Sequence, residues 1–92
     1  MEKISVHLAK SDQLEWKFFV TVGEGKKMTK HTVMLRTVDF DRLSINKESE
    51  EEFIIRCFTY LLAKESSGSI MKEFDIMTIA QYFPDFEHEI VL

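Results

Sequence analysis

Cysteine is nearly absent from this chain of 92 residues, and its scarcity excludes one class of protein. The single Cys57 cannot form an intramolecular disulfide, so the chain lacks the framework that stabilises small secreted domains. No apolar run approaches the roughly 18 residues of a membrane-spanning helix. The first residues also lack the apolar core of a signal peptide. We therefore expect a cytoplasmic protein that makes no membrane contact.

Glycine and proline are also scarce, with three glycines and one proline in the chain. No linker, repeat or low-complexity stretch interrupts the sequence, so residues 1–92 are predicted to form one small domain. Hydrophobic residues make up 45% of the sequence and charged residues 30%, as in an ordinary globular domain.

Three segments, residues 3–9, 14–22 and 29–36, alternate apolar and polar residues, which is typical of strands with one buried face. Gly23 and Gly25 favour a hairpin turn between the second and third segments. The segments therefore predict a three-stranded antiparallel meander. Its inward face is predicted to contain Leu14, Trp16, Phe18, Val20 and Val22 from the second strand and His31, Val33 and Leu35 from the third.

Helical periodicity follows these strands. Residues 38–44 are predicted to form a short helix, and residues 75–83 another that ends before the only proline. Between them, Ser49 and Glu52 form a capping-box pattern that predicts a longer helix at residues 49–65. The apolar stripe of the first helix contains Val38, Phe40 and Leu43. The predicted fold class is α+β, with the meander followed by two to three helices packed on one of its faces.

Charge is divided unevenly along the chain. Residues 1–46 contain eight Lys/Arg and six Asp/Glu, whereas residues 47–92 contain four and ten. A segment without acids contains Lys26, Lys27, Lys30 and Arg36. This segment is either a polyanion-binding strip or a solvated turn and strand edge. Together with Phe19, which breaks the alternation on the polar side of its strand, it is a candidate interaction surface.

The residue types that carry catalysis are sparse. Cys57 lies within the apolar stripe of the longest predicted helix, where a free cysteine usually acts as a small buried hydrophobe. The three histidines, His7, His31 and His88, do not have the spacing of metal ligands. The Gly23-x-Gly25 segment is too short for a phosphate-binding fingerprint and precedes a strand. The sequence therefore predicts no enzyme, no metal and no cofactor.

Residues 31–65, a short strand followed by two helices, resemble the ribbon-helix-helix DNA-binding proteins. The resemblance implies that two chains pair their strands and insert this ribbon into the major groove. The DNA-facing residues would then be Lys30, Thr32, Met34 and Arg36. In that family the second helix also places its N-terminus on a phosphate. Here that end contains Glu50, Glu51 and Glu52, whose charges oppose a phosphate.

A second resemblance spans nearly the whole chain, from a strand-rich start with Leu14-Glu15-Trp16-Lys17-Phe18 to the C-terminal pattern Phe74-Asp75-Ile76-x-x-Ile79-x-x-Tyr82-Phe83-Pro84-x-Phe86-Glu87. These segments resemble a group of small bacterial proteins of similar length and unassigned function. That resemblance implies an architecture and a bacterial setting rather than an activity. The aromatic residues of the C-terminal pattern predict either a clamp that closes the core or a groove that receives a partner. Tyr82 and Phe86 are therefore further candidate interaction residues.

These observations favour a non-enzymatic protein-binding or regulatory module of a bacterial cytosolic protein. Its partner would be another protein or a second copy of the chain, because the acidic second half disfavours nucleic acid. The alternative is an antitoxin-like ribbon-helix-helix regulator.

Overall fold

A computed structural model describes residues 2–91 of the chain. The described strands are β1 Ile4–Ser11, β2 Glu15–Val22, β3 Thr29–Arg36 and β4 Glu73–Asp75. The described α-helices are α1 Thr37–Leu43, α2 Glu50–Lys64, α3 Ile79–Tyr82 and α4 Phe86–Ile90. The strands form one sheet in the order β1-β2-β3-β4, antiparallel except that β4 runs parallel to β3. The α+β class is confirmed, but the prediction of a purely antiparallel three-stranded sheet is wrong.

Strand β4 was not predicted because its three residues are too short to show an alternating pattern. Its position depends on contacts with β3, which is about 40 residues earlier in the chain. The Thr32 N–H donates a hydrogen bond to the carbonyl oxygen of Lys72, with an N–O distance of 2.7 Å. Phe74 then pairs with Val33 and is buried against the core. The sheet is therefore mixed, and β3 is an internal strand.

The predicted alternation describes the sheet faces well. The core side of β2 and β3 contains Phe18, Val20, Val22, His31, Val33 and Leu35, all of them buried. Leu14 was wrongly placed with this group and is 78% exposed. It precedes β2 in a turn that the Asp12 carboxylate holds by accepting hydrogen bonds from the N–H groups of Leu14 and Glu15, at 2.8 and 2.9 Å.

The turn between β2 and β3 uses glycine for its backbone geometry. Gly23 and Gly25 have φ angles of +89° and +63°, and residues with a Cβ atom rarely adopt such positive values. A Cβ atom at Gly23 would also lie 3.3 Å from the Lys27 carbonyl oxygen. A short 3₁₀ helix, Gly25–Lys27, completes the connection.

Helix α2 has the predicted capping box. The Ser49 hydroxyl accepts a hydrogen bond from the Glu52 N–H at 3.1 Å, and the Glu52 carboxylate accepts one from the Ser49 N–H at 2.8 Å. The buried side of α2 contains Phe53, Ile54, Cys57, Phe58 and Leu61. In α1 the predicted stripe is only partly correct, because Leu43 is buried whereas Val38 is exposed.

The chain after α2 returns to the sheet and then closes the core. Asp75 accepts a hydrogen bond from the Met77 N–H at 2.8 Å and begins a 3₁₀ turn, Ile76–Thr78, that continues into α3. The predicted helix at residues 75–83 is therefore confirmed in position, although its first turn is a 3₁₀ helix. All of the helices cover the same core, which is built on one face of the sheet. No helix within residues 2–91 has the length and apolar character needed to cross a membrane.

Candidate functional site

Five of the predicted interaction residues lie on the open face of the sheet, the face opposite the core. They are Phe19, Lys30, Thr32, Met34 and Arg36. Phe19 is 52% exposed and stands in one row across the sheet, between His7 on β1 and Thr32 on β3. The open face therefore presents one large aromatic ring among polar neighbours.

The charges of this open face are mixed rather than basic. Glu15 pairs with Arg36 across β2 and β3, and β4 places Glu73 and Asp75 beside Thr32 and Met34. Lys26 and Lys27 are exposed in the 3₁₀ turn at one end of the sheet. Because these carboxylates lie beside the cations, the face does not form the continuous positive strip that a polyanion needs.

The ribbon-helix-helix geometry requires a strand whose edge is free to pair with a second chain. Strand β3, which would supply that ribbon, lies between β2 and β4 and makes backbone pairs with both. Both edges of β3 are therefore already paired with strands of the same chain.

A second surface is a groove of about 350 Å³ beside the C-terminal end of α2. The groove is lined by Leu61, Glu65, Ser69, Ile70, Met71, Phe74, Ile79, Tyr82 and Phe83. Tyr82 is 65% exposed, and Met71 is also exposed. Ile70, Phe74 and Ile79 are buried residues of the core, so the walls of the groove are continuous with it. The groove is apolar, with an exposed tyrosine and one carboxylate in its lining.

The C-terminal aromatic residues divide between core and groove. Phe86 is fully buried, so its prediction as a surface interaction residue is wrong. It packs edge-on against Tyr60 of α2 with a centroid distance of 5.2 Å, and Phe83 contacts the same ring at 6.2 Å. Phe83 and Phe86 thus clamp the Tyr60 ring, and Phe83 also lines the groove together with the exposed Tyr82.

Tyr60 connects this clamp to α4. Its hydroxyl donates a hydrogen bond to Glu89 at 2.9 Å. The pKa of Tyr60 is raised to about 12 by desolvation, by this hydrogen bond and by the negative charges of Glu89 and Asp85. Lys64 lies 5.1 Å above the Tyr60 ring and 3.8 Å from the Glu89 carboxylate. Lys64, the cation of α2 nearest the groove, therefore interacts with Glu89 of α4.

The part of the chain that follows α2 is rich in acids. Residues 65–91 contain six Asp/Glu, and Lys72 is the sole Lys/Arg among them. Glu65, immediately after α2, supplies a carboxylate to the groove itself. Two of these carboxylates are paired with cations from outside the segment, Glu87 with Arg42 and Glu89 with Lys64. The negative charge that a cationic ligand in the groove would meet is therefore that of Glu65.

His31 holds one wall of the groove, a role that its inward position in the strand pattern did not predict. Its Nδ1 lies 2.7 Å from the carbonyl oxygen of Met71, which can only accept, so Nδ1 carries a proton. Its Nε2 lies 2.9 Å from the Thr29 hydroxyl. The ring is buried and also packs at a tilt against the Phe58 ring, with the two centroids 5.5 Å apart. The partner of His31 is 40 residues away in sequence, and no local pattern reveals it.

Residues considered for catalysis or metal binding are dispersed. Cys57 is fully buried in α2, and burial raises the pKa of its thiol well above the usual range. His7 lies on the open face of the sheet, and His88 lies on α4. Within residues 2–91 no three His, Cys, Asp or Glu side chains are grouped so that they could hold a metal ion.

Comparison of the chain with protein-family models, with curated proteins and with solved structures finds no match. The resemblance of the chain to a group of small bacterial proteins therefore stays a prediction.

Proposed function

We propose that this protein is a non-enzymatic binding module whose groove holds a basic segment of a partner protein. The observation that carries the proposal is the apolar groove that ends at the exposed Tyr82 and contains the Glu65 carboxylate. In this proposal a large apolar side chain of the partner fills the groove, and a lysine or arginine beside it pairs with Glu65.

The size and chemistry of the groove support this kind of ligand. Its volume of about 350 Å³ is at the small end of protein ligand pockets, which suits one or two side chains rather than a whole cofactor. Burying a leucine- or phenylalanine-sized side chain contributes about 1.5–3 kcal/mol. Tyr82 adds an amphipathic ring of the kind enriched in protein interfaces.

Charge favours a basic partner segment. The Glu65 carboxylate in the groove would attract it from solution and disfavour acidic competitors. Because much of this attraction acts between exposed charges, the association rate is expected to fall as salt screens it. The open face of the sheet does not offer comparable selectivity, since its charges are mixed.

The alternative function, DNA binding by a ribbon-helix-helix dimer, has less support. It would use Lys30, Thr32, Met34 and Arg36, but the strand that contains them has no free edge. The start of α2, which would approach a phosphate, contains Glu50, Glu51 and Glu52. A binding titration with duplex DNA at low salt remains the direct check on this alternative.

The groove is tested by selecting peptides from a displayed random library on the immobilised protein. We expect enrichment of peptides in which a large apolar residue adjoins lysine or arginine. A selected peptide should bind the Tyr82→Ala variant at least roughly tenfold more weakly, a loss of about 1.4 kcal/mol. Tyr82 is mostly exposed, so this variant should fold normally.

The matched control is Phe19→Ala, which removes an exposed aromatic ring from the open face of the sheet. It should leave peptide affinity unchanged, and amide shifts on peptide addition should be concentrated near Glu65, Ser69 and Tyr82. Loss of affinity in Phe19→Ala with retention in Tyr82→Ala would move the site to the sheet. A selection without enrichment would contradict the proposal.

A further inference from the structure

The outer edge of β1 has no neighbouring strand within the described chain, because β1 is the first strand of the sheet. The Gly23 N–H donates a hydrogen bond to the Lys3 carbonyl oxygen at 2.8 Å. In an antiparallel pair the residues that bond to the neighbour alternate with those that do not. Ser5 and His7, which follow Lys3 at two-residue intervals, thus direct their backbone groups toward β2. Ile4, Val6 and Leu8 direct theirs outward.

The same three residues place their side chains on the helix side of the sheet. They pair with Val22, Val20 and Phe18 of the core face. Ile4 and Val6 are half-buried, whereas Leu8 is 51% exposed. The core is therefore incompletely covered where β1 ends the sheet.

Helix α2 extends this apolar margin. Thr59 and Leu62 of α2 share a surface cleft with Glu2, which precedes β1, so this side of the helix lies beside the strand. Ile55 is one turn earlier on the same side and is exposed. Leu8 on β1 and Ile55 on α2 are thus exposed apolar residues on the side of the molecule that has the unpaired backbone groups of β1, and together they are called the apolar margin.

The features that usually prevent a sheet edge from pairing with another strand, such as lysines and β-bulges, occur only toward the ends of β1. Lys3 precedes the strand, Lys10 lies near its end, and the register shifts between Leu8 and Lys10 as in a β-bulge. Residues 4–8 between them contain no lysine, acid or proline. The centre of this edge is therefore open to pairing.

We propose that a second copy of this chain pairs its β1 antiparallel to this edge, around a twofold axis at Val6. Each Val6 then faces Val6 of the second copy, and Ile4 faces Leu8. Facing pairs exchange backbone hydrogen bonds, and the sheets of the two copies become continuous. On the helix side of this continuous sheet, the apolar margin of one copy, Leu8 and Ile55, meets that of the other.

Charge complementarity favours a second copy as the occupant. The twofold axis at Val6 brings Glu2, just before β1 of one copy, to the end of β1 that contains Lys10 in the other copy, and it keeps the two Lys3 residues at opposite ends of the paired strands. The pairing is independent of the groove, which lies beside β4 at the other edge of the sheet. Each proposal can therefore fail without the other.

The first test is the solution mass, measured by light scattering on a sizing column across a wide range of protein concentrations. We expect twice the chain mass of 10.9 kDa at high concentration, with dissociation on dilution. Leu8→Lys should shift the dissociation to at least tenfold higher concentration, because it places a charge in the joint apolar margin. The control is Leu14→Lys, an equally drastic change at a more exposed leucine outside the edge.

The second test is specific for the register. A Val6→Cys variant should form an interchain disulfide on mild oxidation, since facing residues of this kind lie about 5.5 Å apart between Cα atoms. Leu14→Cys should not, and the buried Cys57 should contribute no cross-link in either variant.

The two tests together decide the proposal. A chain that stays monomeric at millimolar concentration, without cross-linking at Val6→Cys, would overturn it. So would a dimer that neither cross-links through Val6→Cys nor weakens in Leu8→Lys, because its interface would lie elsewhere. The paired strands are supported only if Val6→Cys forms the interchain disulfide and Leu8→Lys also weakens the dimer.

Discussion

Arg56 joins three segments that are distant in sequence. Its guanidinium donates to both carboxylate oxygens of Glu48, at 3.0 and 2.6 Å, and to the carbonyl oxygens of Leu43 and Ile90. It also lies 5.4 Å from the centroid of the Phe53 ring. The forked, planar guanidinium can satisfy these acceptors together, which lysine cannot do. Arg56 thus fixes the ends of α1 and α4 against α2.

Glu48 makes the stability of this junction depend on pH. Desolvation opposes ionisation of its carboxyl group, but the hydrogen bonds from Arg56 and Ile45 and the charge of Arg56 outweigh it and hold its pKa below the ordinary value of 4.5. The stabilisation is therefore present above pH 4.5 and is lost as the pH falls through the lower, folded-state pKa.

We predict that Glu48→Gln lowers the free energy of unfolding by roughly 1–2 kcal/mol at neutral pH. The difference from the unmodified protein should shrink on acidification below pH 4.5, because protonated Glu48 no longer offers Arg56 a charged partner. Urea unfolding at a series of pH values measures this. Glu51→Gln, at an exposed position of α2, is the control and should show a much smaller difference. A difference that does not vary with pH would contradict the prediction.

At the scale of an element, β2 shows how alternation divides neighbouring residues between two environments. Phe18 and Phe19 are adjacent and chemically identical, yet Phe18 is fully buried and Phe19 is half-exposed on the open face. Successive side chains of a strand point to opposite faces, so this division follows from the backbone alone. Which face is covered depends on the helices.

Substitution of these two phenylalanines should therefore have very different costs. Phe18→Ala is expected to lower the free energy of unfolding by about 3–5 kcal/mol, because it leaves a cavity in the core. Phe19→Ala should cost no more than about 1 kcal/mol. Chemical denaturation measures both, and Phe18→Leu provides a milder core variant should Phe18→Ala not fold. Equal losses at both positions would mean that the open face is itself covered.

Elements with local signals were predicted and those without were not. The capping box of α2 involves residues three apart, and the alternation of β2 and β3 needs only neighbouring residues. Strand β4 has three residues and pairs with a strand about 40 residues earlier. Its formation depends on the Thr32–Lys72 hydrogen bond and on the burial of Phe74, which no local pattern encodes.

At the scale of the whole molecule, the core is completed by the last third of the chain. Residues 66–91 contribute the buried side chains Ile70, Phe74, Ile76, Ile79, Phe86 and Ile90. The Cα radius of gyration is 12.4 Å, close to the roughly 12 Å expected for a compact domain of this length. The sheet, α2 and this C-terminal segment thus share one compact core.

We predict that a chain ending at Glu65 does not fold cooperatively. The six lost side chains are each worth about 1.5–3 kcal/mol of burial, which together exceeds the net stability of many small domains. Loss of the sigmoidal thermal transition in circular dichroism would show this. As a control, a separate peptide of residues 66–92 should restore the transition. A cooperative transition in the shortened chain by itself would contradict the prediction.

The site could be predicted only in part. The sequence placed Phe19, Lys30 and Arg36 correctly on a common exposed face, because alternation assigns residues to faces. The sequence could not show that Tyr82 is exposed whereas Phe86 is buried, because this difference depends on which distant element packs over each ring. Tyr60 of α2 covers Phe86 and leaves Tyr82 beside the groove.

The sequence by itself determined the α+β class, the three long strands, the position of α2 and the sidedness of the sheet. These features follow from local periodicity and capping, which act over a few residues. The tertiary structure alone decided the fourth strand, the pairing of His31 with Met71, the groove and the free edge of β1. Each of these depends on which distant segments meet, and that is set by the joint burial of apolar surface across the chain.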